Sequence, residues 1–567
     1  MIVSNKNFTI SQDFICFLTY TIEAFKKNIF LFLALLFLST GAFRSYIAFD
    51  DVAISVDELQ HIATGFEWLE NGTYELEALH PPLARIVAAL PLYLFKKIKL
   101  TQAFYSQYCS FEGHKDYKKE YQGRLIGGKL VFCNLDHEEY SSRVALSRLS
   151  SLLFFFIGGL GLFFWTKKIT NASTACVAVF LYSNLPIIIA SCIIINTDMA
   201  GAAFFVWAIY LGIIWLQNPT IKHTISFGIL IGLVAVSKFS SLIFLIICFG
   251  ITVLYQMRQD KKLIQVLEWK YLKLRGMLIA IIFLIIWLSY RFSVEEISGF
   301  YLPFPEFFRG LGELIARNQI QFLGYIFGNL LFHKGVWYFF PVATLFKLPL
   351  SFLIMVATGL LISHKNKEIA LISLFIVAIY GIGMISNINI GLRHMLPAII
   401  LMCIVGAYCF THLWCSAPNI FYARAGVAFL LVSYIISSVI AHKDYISYFN
   451  VLAGSHPEDI LIEGDFDIGQ DTQKLAQYLQ LNQINDKTVY YAYNSVYPEC
   501  YGIKNSMVLF GADLRKFQLN FGDFRYIAMN KVLAKFLKPA ALQEIVHCHN
   551  PILIGETILI YDKLHCD

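Results

Sequence analysis

Asp57 and Glu58 are adjacent carboxylates in the run Ser55-Val56-Asp57-Glu58-Leu59-Gln60-His61. A carboxylate can take the proton of an attacking hydroxyl, and a second acid beside it orients it or raises its proton affinity. The same run has a structural reading, since Ser55 and Glu58 have the spacing of a capping box and acids in a first helical turn complement the helix dipole, with Asn71-Gly72 ending that helix. Farther on, His80 precedes Pro81-Pro82, and two prolines force an extended segment that aims the imidazole rigidly. Asp198 follows Asn196-Thr197, where capping of the next helix is the alternative role. Arg148, Lys238, Lys347 and Arg393 stand at the ends of apolar runs. Cations there either anchor a helix end to lipid headgroups or hold an anion.

The elements that must position these residues are membrane helices. Of 567 residues, 57% are hydrophobic and 15% charged, with 50 Phe, 31 Tyr and a mean hydropathy of +0.60. Globular domains carry roughly 25% charged residues, and only lipid accepts so large an apolar surplus. About eleven apolar runs follow one another, from 28–49 to 424–441. The first follows Lys26-Lys27, is too long for a signal peptide and reads as a retained helix with a cytoplasmic N-terminus. Alternation then puts Lys167-Lys168, Lys222, Arg258 to Arg275, Lys365/Lys367 and Arg424 on the cytoplasmic side. The stretch 225–255 reads as a pair of short or re-entrant helices turning at Lys238. The run 336–363 is too long for one span, so Trp337 to Phe340 are expected in the interface, with Lys347 starting the helix.

Residues 1–441 therefore form the membrane domain, with outer loops 50–146 and 292–347, and residues 442–567 a non-cytoplasmic soluble α/β domain. The expected tail elements are a helix over 470–482 and strands at 488–494, 526–530 and 557–561. The net charge of +6 is explained by basic inner loops and implies no nucleic-acid partner. No P-loop and no G-x-G-x-x-G opening a helix occurs, so no nucleotide cofactor is expected. The twelve Cys form no C-x-x-C pair, which excludes a zinc ribbon or redox motif.

The order of motifs resembles the glycosyltransferase 39 family of the GT-C superfamily, which holds protein O-mannosyltransferases and lipid A aminoarabinose transferases. The residues that carry the resemblance are Asp57-Glu58, His80-Pro-Pro-Leu, Thr197-Asp198, Ser237-Lys238, Trp337 to Pro341 leading to Lys347-x-Pro349, and Gly391-Leu392-Arg393-His394. In the tail, Tyr448-Phe449-Asn450-x-Leu452-Ala453-Gly454 and Asp467-Ile468-Gly469-Gln470-Asp471 look like bacterial relatives that read Asp-Trp-Gly-Gln-Asp, with Ile468 in place of the Trp. His80 stands where the aminoarabinose transferases usually have Lys.

The resemblance implies a mainly α, polytopic GT-C enzyme of the cytoplasmic (inner) membrane. It would move a sugar from a polyprenyl-phosphate donor to a hydroxyl acceptor on the outer, periplasmic or extracellular, face with inversion. It casts Asp57 as base, Glu58 as its neighbour and Asp198 as a supporting acid. Arg393, Lys238 and Lys347 would hold the phosphate, with His80 and Arg148 also on the substrate. Glu58, His61 and His80 would be the ligands of a divalent metal of zinc type, as some GT-C enzymes use. The rival readings are a secondary transporter, whose polar residues belong at the midplane rather than at one face, and a membrane scaffold, which leaves the three acids unexplained. The orientation is tested by a reporter fused after Asp567. Activity only outside the cytoplasm is expected, and activity only inside contradicts it.

Overall fold

Uninterrupted apolar runs form helices here because lipid offers the backbone no hydrogen-bond partner, so each segment must satisfy its own N–H and C=O groups. The computed structural model describes residues 12–98, 126–128, 137–259, 268–319, 324–331, 335–416, 420–462, 464, 466–493, 497–509, 523–536 and 551–565. Parts of the expected outer loops and tail lie outside the described residues. In chain order the helices are α1 (Gln12–Ile47), α2 (Val56–Glu70), α3 (Leu83–Phe95), α4 (His137–Ile169), α5 (Ala172–Asn184), α6 (Pro186–Cys192), α7 (Thr197–Gln217), α8 (Ile221–Ala235), α9 (Phe239–Gln259), α10 (Leu272–Ser289), α11 (Pro305–Gln319), α12 (Phe339–Lys347), α13 (Leu350–Ile362), α14 (Lys367–Ile385), α15 (Leu396–Ser416) and α16 (Ile420–Ile440).

Eight helices among the described residues are long and apolar enough to cross a membrane, and the bent pairs α5–α6 and α12–α13 raise this to ten. The eleventh apolar run is α8, whose 15 residues make about 22 Å against a hydrocarbon thickness of ~30 Å. The stretch 225–255 is corrected in its second half, because α9 has 21 residues and is long enough to span. The helices containing Thr197–Gln217 and Leu392–Cys415 are 78% buried over their apolar windows, whereas Trp269–Ser289 is 6% buried. The first two are thus central, and α10 is apolar all round because it faces lipid.

Both bends have a covalent cause. Pro186 starts α6 and Pro349 precedes α13; each lacks an N–H and pushes the residue before it to extended backbone, so the chain turns by 62° and 120°. Lys347 consequently ends α12 instead of starting the next helix.

Outside the membrane helices, α2 and α3 pack against each other closely enough to require Gly65, where a Cβ would lie 2.3 Å from the Arg85 carbonyl oxygen. The outer loop after α10 holds two antiparallel hairpins, β1 (Val294–Ile297) with β2 (Phe300–Pro303) and β3 (Gly324–Ile326) with β4 (Asn329–Leu331), and after α16 the tail carries α17 (Thr472–Leu481), α18 (Lys531–Phe536) and a five-stranded sheet of order β6-β5-β7-β9-β8. Its strands are β5 (Thr488–Tyr493), β6 (Ser506–Leu509), β7 (Tyr526–Asn530), β8 (Ile552–Ile554) and β9 (Ile558–Asp562). β5 runs parallel to β6 and β7, and β9 antiparallel to β7 and β8. Leu475 and Leu479 of α17 cover the sheet, burying Tyr490, Ala528 and Ile560. The helix and the three longer strands stand where the sequence places them. The edges β6 and β8, at four and three residues, are too short to show an alternating pattern.

Asp467 is buried in this tail, and burial, with Asp471 nearby, pushes its carboxyl up to about 7 against the Gly469 N–H and Asn530 amide that it accepts. An acid whose folded pKa lies above its unfolded value of about 3.9 contributes stability below that value, and the contribution is lost as pH rises through about 7. Asp467→Asn is therefore expected to flatten the fall of Tm between about pH 4 and pH 7. An unchanged slope in a thermal-shift series contradicts this.

Candidate active site

The N-terminus of α2 is set by the expected capping box: the Ser55 hydroxyl accepts the Glu58 N–H at 3.4 Å, and the Ser55 N–H donates to Glu58 Oε2 at 2.8 Å. Glu58 also accepts Arg148 Nε at 2.8 Å, Arg148 Nη2 at 3.0 Å and the Ile195 N–H at 3.1 Å. Both side chains are fully buried. Arg148 Nη1 further donates to the carbonyls of Phe49 and Val52, at 2.7 and 2.9 Å. Each helical residue is rotated by about 100° from the last, so Glu58 turns inward while Asp57, 51% exposed, points out.

Asp57 opens into a cavity of about 500 Å³. Its polar wall is Asp57, His61, His80, Asp198, Lys238 and Arg393, and Ile243, Phe244, Leu314, Phe340 and Ile382 supply much of its apolar wall. Arg393 sits in the short turn Leu392–Met395 and donates from Nη2 to Asp57 Oδ2 at 3.0 Å, with its Nε 3.9 Å from Asp198 Oδ2. Asn196, not Asp198, caps α7, accepting the Met199 N–H at 2.9 Å. The Asp198 carboxylate is thereby left to an ion pair with Lys238, which lies in the break between α8 and α9. His394 adds its Nδ1 at 3.2 Å from Lys238 Nζ.

His80 is brought to this wall by the segment before α3, where the Leu83 N–H donates to the Val236 carbonyl at 3.0 Å and the Tyr74 hydroxyl to the His80 carbonyl at 2.7 Å. The two rings meet edge to face with their centres 5.3 Å apart, and buried Arg85 bridges their Nδ1 atoms, donating from Nε to His61 Nδ1 at 3.0 Å and placing Nη2 3.2 Å from His80 Nδ1. Burial, then the Arg85 charge, lowers the His61 pKa well below its ordinary value. Burial, then Lys238, lowers that of His80 to about 4. Both rings are neutral at pH 7.

Asp57, His61, His80, Asp198, Lys238 and Arg393 are thus brought together, and three other expected site residues are not. Glu58 and Arg148 satisfy each other behind the cavity wall. Lys347 is buried elsewhere, donating to the Ile446 carbonyl at 2.7 Å and standing 4.5 Å from the centre of the Phe449 ring. The metal set Glu58, His61 and His80 does not assemble, because Glu58 is taken by Arg148 and a guanidinium occupies His61 Nδ1. Among the described residues no group of three or more His, Cys, Asp or Glu could hold a metal ion. Arg317 and Asn318 of α11 and His394 line the cavity and were not expected there. His394 adjoins Arg393 and was legible by proximity, whereas nothing in the sequence of α11 marks Arg317.

Residues 142–290 match the profile of the family described as dolichyl-phosphate-mannose-protein mannosyltransferase. The matched stretch carries Arg148, Asp198 and Lys238, while Asp57, His80 and Arg393 lie outside it. In kind, the chain is a membrane glycosyltransferase. Among solved structures it is similar to ArnT from Cupriavidus metallidurans bound to undecaprenyl phosphate, at 10% identity and a TM-score of 0.47, over 93% of this chain and 97% of that one. It is also similar to the Archaeoglobus fulgidus oligosaccharyltransferase in complex with Zn and sulfate, at 11% identity and a TM-score of 0.45, over 90% of this chain and 71% of that one. Among curated proteins none matches the chain by sequence.

Removing one partner of a buried pair leaves an uncompensated charge, at a cost of about 3–5 kcal/mol. Glu58→Gln should therefore lower the Tm of the purified protein markedly, whereas Asp57→Asn, at a half-exposed position, should not. Equal melting of the two variants contradicts the division of roles.

Proposed function

We propose that the chain transfers a sugar from a polyprenyl-phosphate donor to a hydroxyl acceptor at the non-cytoplasmic face of the cytoplasmic membrane, inverting the anomeric carbon. The observation that carries this reading is the cavity itself: an accessible carboxylate and two cations on one wall, with apolar side chains from α9, α11, α12 and α14 on the others. A lipid-linked phosphate needs such a combination, a place for its charge and an apolar passage for its chain.

Of the two acids that face the cavity, Asp57 is the base. Asp198 is nearly buried and committed to Lys238, so it fixes that cation and Arg393 instead of taking a proton. Asp57 accepts the proton of the acceptor hydroxyl as its oxygen attacks the anomeric carbon. The bond from that carbon to the phosphate oxygen breaks on the opposite side, and the electron pair leaves with the polyprenyl phosphate. Arg393 and Lys238 hold the departing charge, Arg393 with the two-point geometry that suits a phosphate. One displacement inverts the centre. His61 and His80, being neutral, supply hydrogen bonds without adding charge. No step is assigned to a metal.

Two observations support the face. Asp57, Asp198, Lys238 and Arg393 all stand at helix ends that alternation from a cytoplasmic N-terminus, with α8 counted as a short span, puts outside, and Cys500 in the tail is disulfide-bonded, as oxidising compartments allow. Placement at span ends, away from the midplane, also favours transfer over transport.

Membranes incubated with a labelled polyprenyl-phosphate sugar should release polyprenyl phosphate. Asp57→Asn should lower the rate by a factor on the order of 10² or more, the size expected of a general base, with the protein still folded. Near-wild-type turnover in Asp57→Asn would remove Asp57 from this role, and no release by the wild type would refute the transfer.

A further inference from the structure

The loop that leads into α2 is held from the tail. The Ala53 N–H donates to the Gln470 carbonyl at 2.9 Å, and the next N–H, of Ile54, donates to the Tyr501 hydroxyl at 3.0 Å. Tyr501 is itself fixed from the membrane side by the Tyr140 hydroxyl of α4, 2.9 Å away, with the two rings edge to face. Ser55, the cap of α2, follows at once, and Asp57 two residues later. Buried backbone N–H groups are costly to leave unpaired, so these two bonds fix where α2 begins.

The tail segment that supplies the first bond is itself held by hydrogen bonds. Gln470 donates from its amide to Ser447 Oγ at 3.1 Å and to the Phe466 carbonyl at 2.9 Å, and it accepts the Ile468 N–H at 2.8 Å. Asp471 accepts the N–H groups of Glu556 and Thr557 at 2.9 and 3.0 Å and the Thr557 hydroxyl at 2.9 Å, which joins the segment to the turn between β8 and β9. The Asp467-to-Asp471 motif is thus spent on backbone and neighbouring side chains.

The same segment reaches the other wall of the cavity. Gly464 lies so close to the loop before Arg393 that a Cβ on it would stand 2.3 Å from the Ile390 carbonyl oxygen, and Ile390 lines the cavity. Just before Gly464 in the chain, the Ile460 carbonyl accepts the Phe327 N–H at 3.0 Å and Leu461 bridges Ile326, so the second outer loop is gathered in as well.

We infer that the tail, through Ile460, Leu461, Gly464, Gln470 and Tyr501, is a brace that sets Asp57 and Arg393 relative to each other, with Tyr501 a positioning residue for Asp57 and Gly464 for Arg393. The kinetic part of this inference rests on the proposed transfer; the structural part does not. Misplacing a reacting group by about 1 Å costs up to ~10²-fold in rate, so a small shift of either loop is felt in turnover or in donor affinity.

Tyr501→Phe and Gly464→Ala in the full-length protein test it by two readouts. In hydrogen–deuterium exchange, Tyr501→Phe should speed exchange across residues 52–58, and Gly464→Ala across 388–394. In transfer of the labelled sugar, Tyr501→Phe should lower kcat on the order of tenfold with the donor KM unchanged, because it moves the base and not the phosphate holders. Gly464→Ala should raise the donor KM with kcat little changed. Unchanged exchange over 52–58 in Tyr501→Phe overturns the inference. A lowered Tm with unaltered kcat and KM of the folded fraction in both variants also overturns it, since that is what a purely structural tail would show. If the wild type releases no polyprenyl phosphate, the transfer reading fails, and the exchange data still decide whether the brace exists.

Discussion

The buried pair of Arg148 and Glu58 is the constraint on which the site depends. Its two charges come from residues 90 apart, and around them meet the end of α1, the start of α2, the outer end of α4 and the Ile195 amide just before α7. A guanidinium and a carboxylate placed in an apolar interior cost several kcal/mol each, and their attraction offsets that cost only if the remaining donors and acceptors are satisfied. Here they are: the carbonyls of Phe49 and Val52 and the N–H groups of Ser55 and Ile195 complete the set. The pair therefore specifies one arrangement of four segments, and Asp57 and Asp198 sit one and three residues from the atoms it fixes.

The electrostatics of the cavity follow from that frame. Asp198 with Lys238, and Asp57 with Arg393, pair two cations with two acids on one wall, the imidazoles of His61 and His80 add none, and Arg317 of α11 brings a further cation to the cavity. Arg393 is within reach of both carboxylates, with Nη2 3.0 Å from Asp57 Oδ2 and Nε 3.9 Å from Asp198 Oδ2.

The tail contributes to the same frame from outside the membrane. The Gln470 carbonyl of its Asp467–Asp471 motif meets the loop before α2, and its Gly464 meets the loop before Arg393. Lys347, expected at the phosphate, belongs to this docking: its ammonium meets the Ile446 carbonyl and faces the Phe449 ring, tying the end of α12 to the start of the tail.

The sequence by itself determined the membrane character, the apolar runs, the common face of Asp57, Asp198, Lys238 and Arg393, and the longer tail strands, because hydropathy, charge alternation and period are local or additive properties. Ser55 and Glu58 were legible as a cap for the same reason. Only the tertiary structure decided which of two adjacent acids is accessible, since a helix turns Asp57 and Glu58 to different sides and a partner far along the chain selects the inward one. It also decided that Arg85 bridges the Nδ1 atoms of His61 and His80, where a metal had been expected, and that Lys347, ending α12 before Pro349, meets the Ile446 carbonyl instead of the cavity. Arg393 reaches Asp57 across 336 residues of chain. Protonation, pairing and accessibility depend on such distant neighbours, and spacing along the sequence carries no information about which of them the fold brings within a few ångströms.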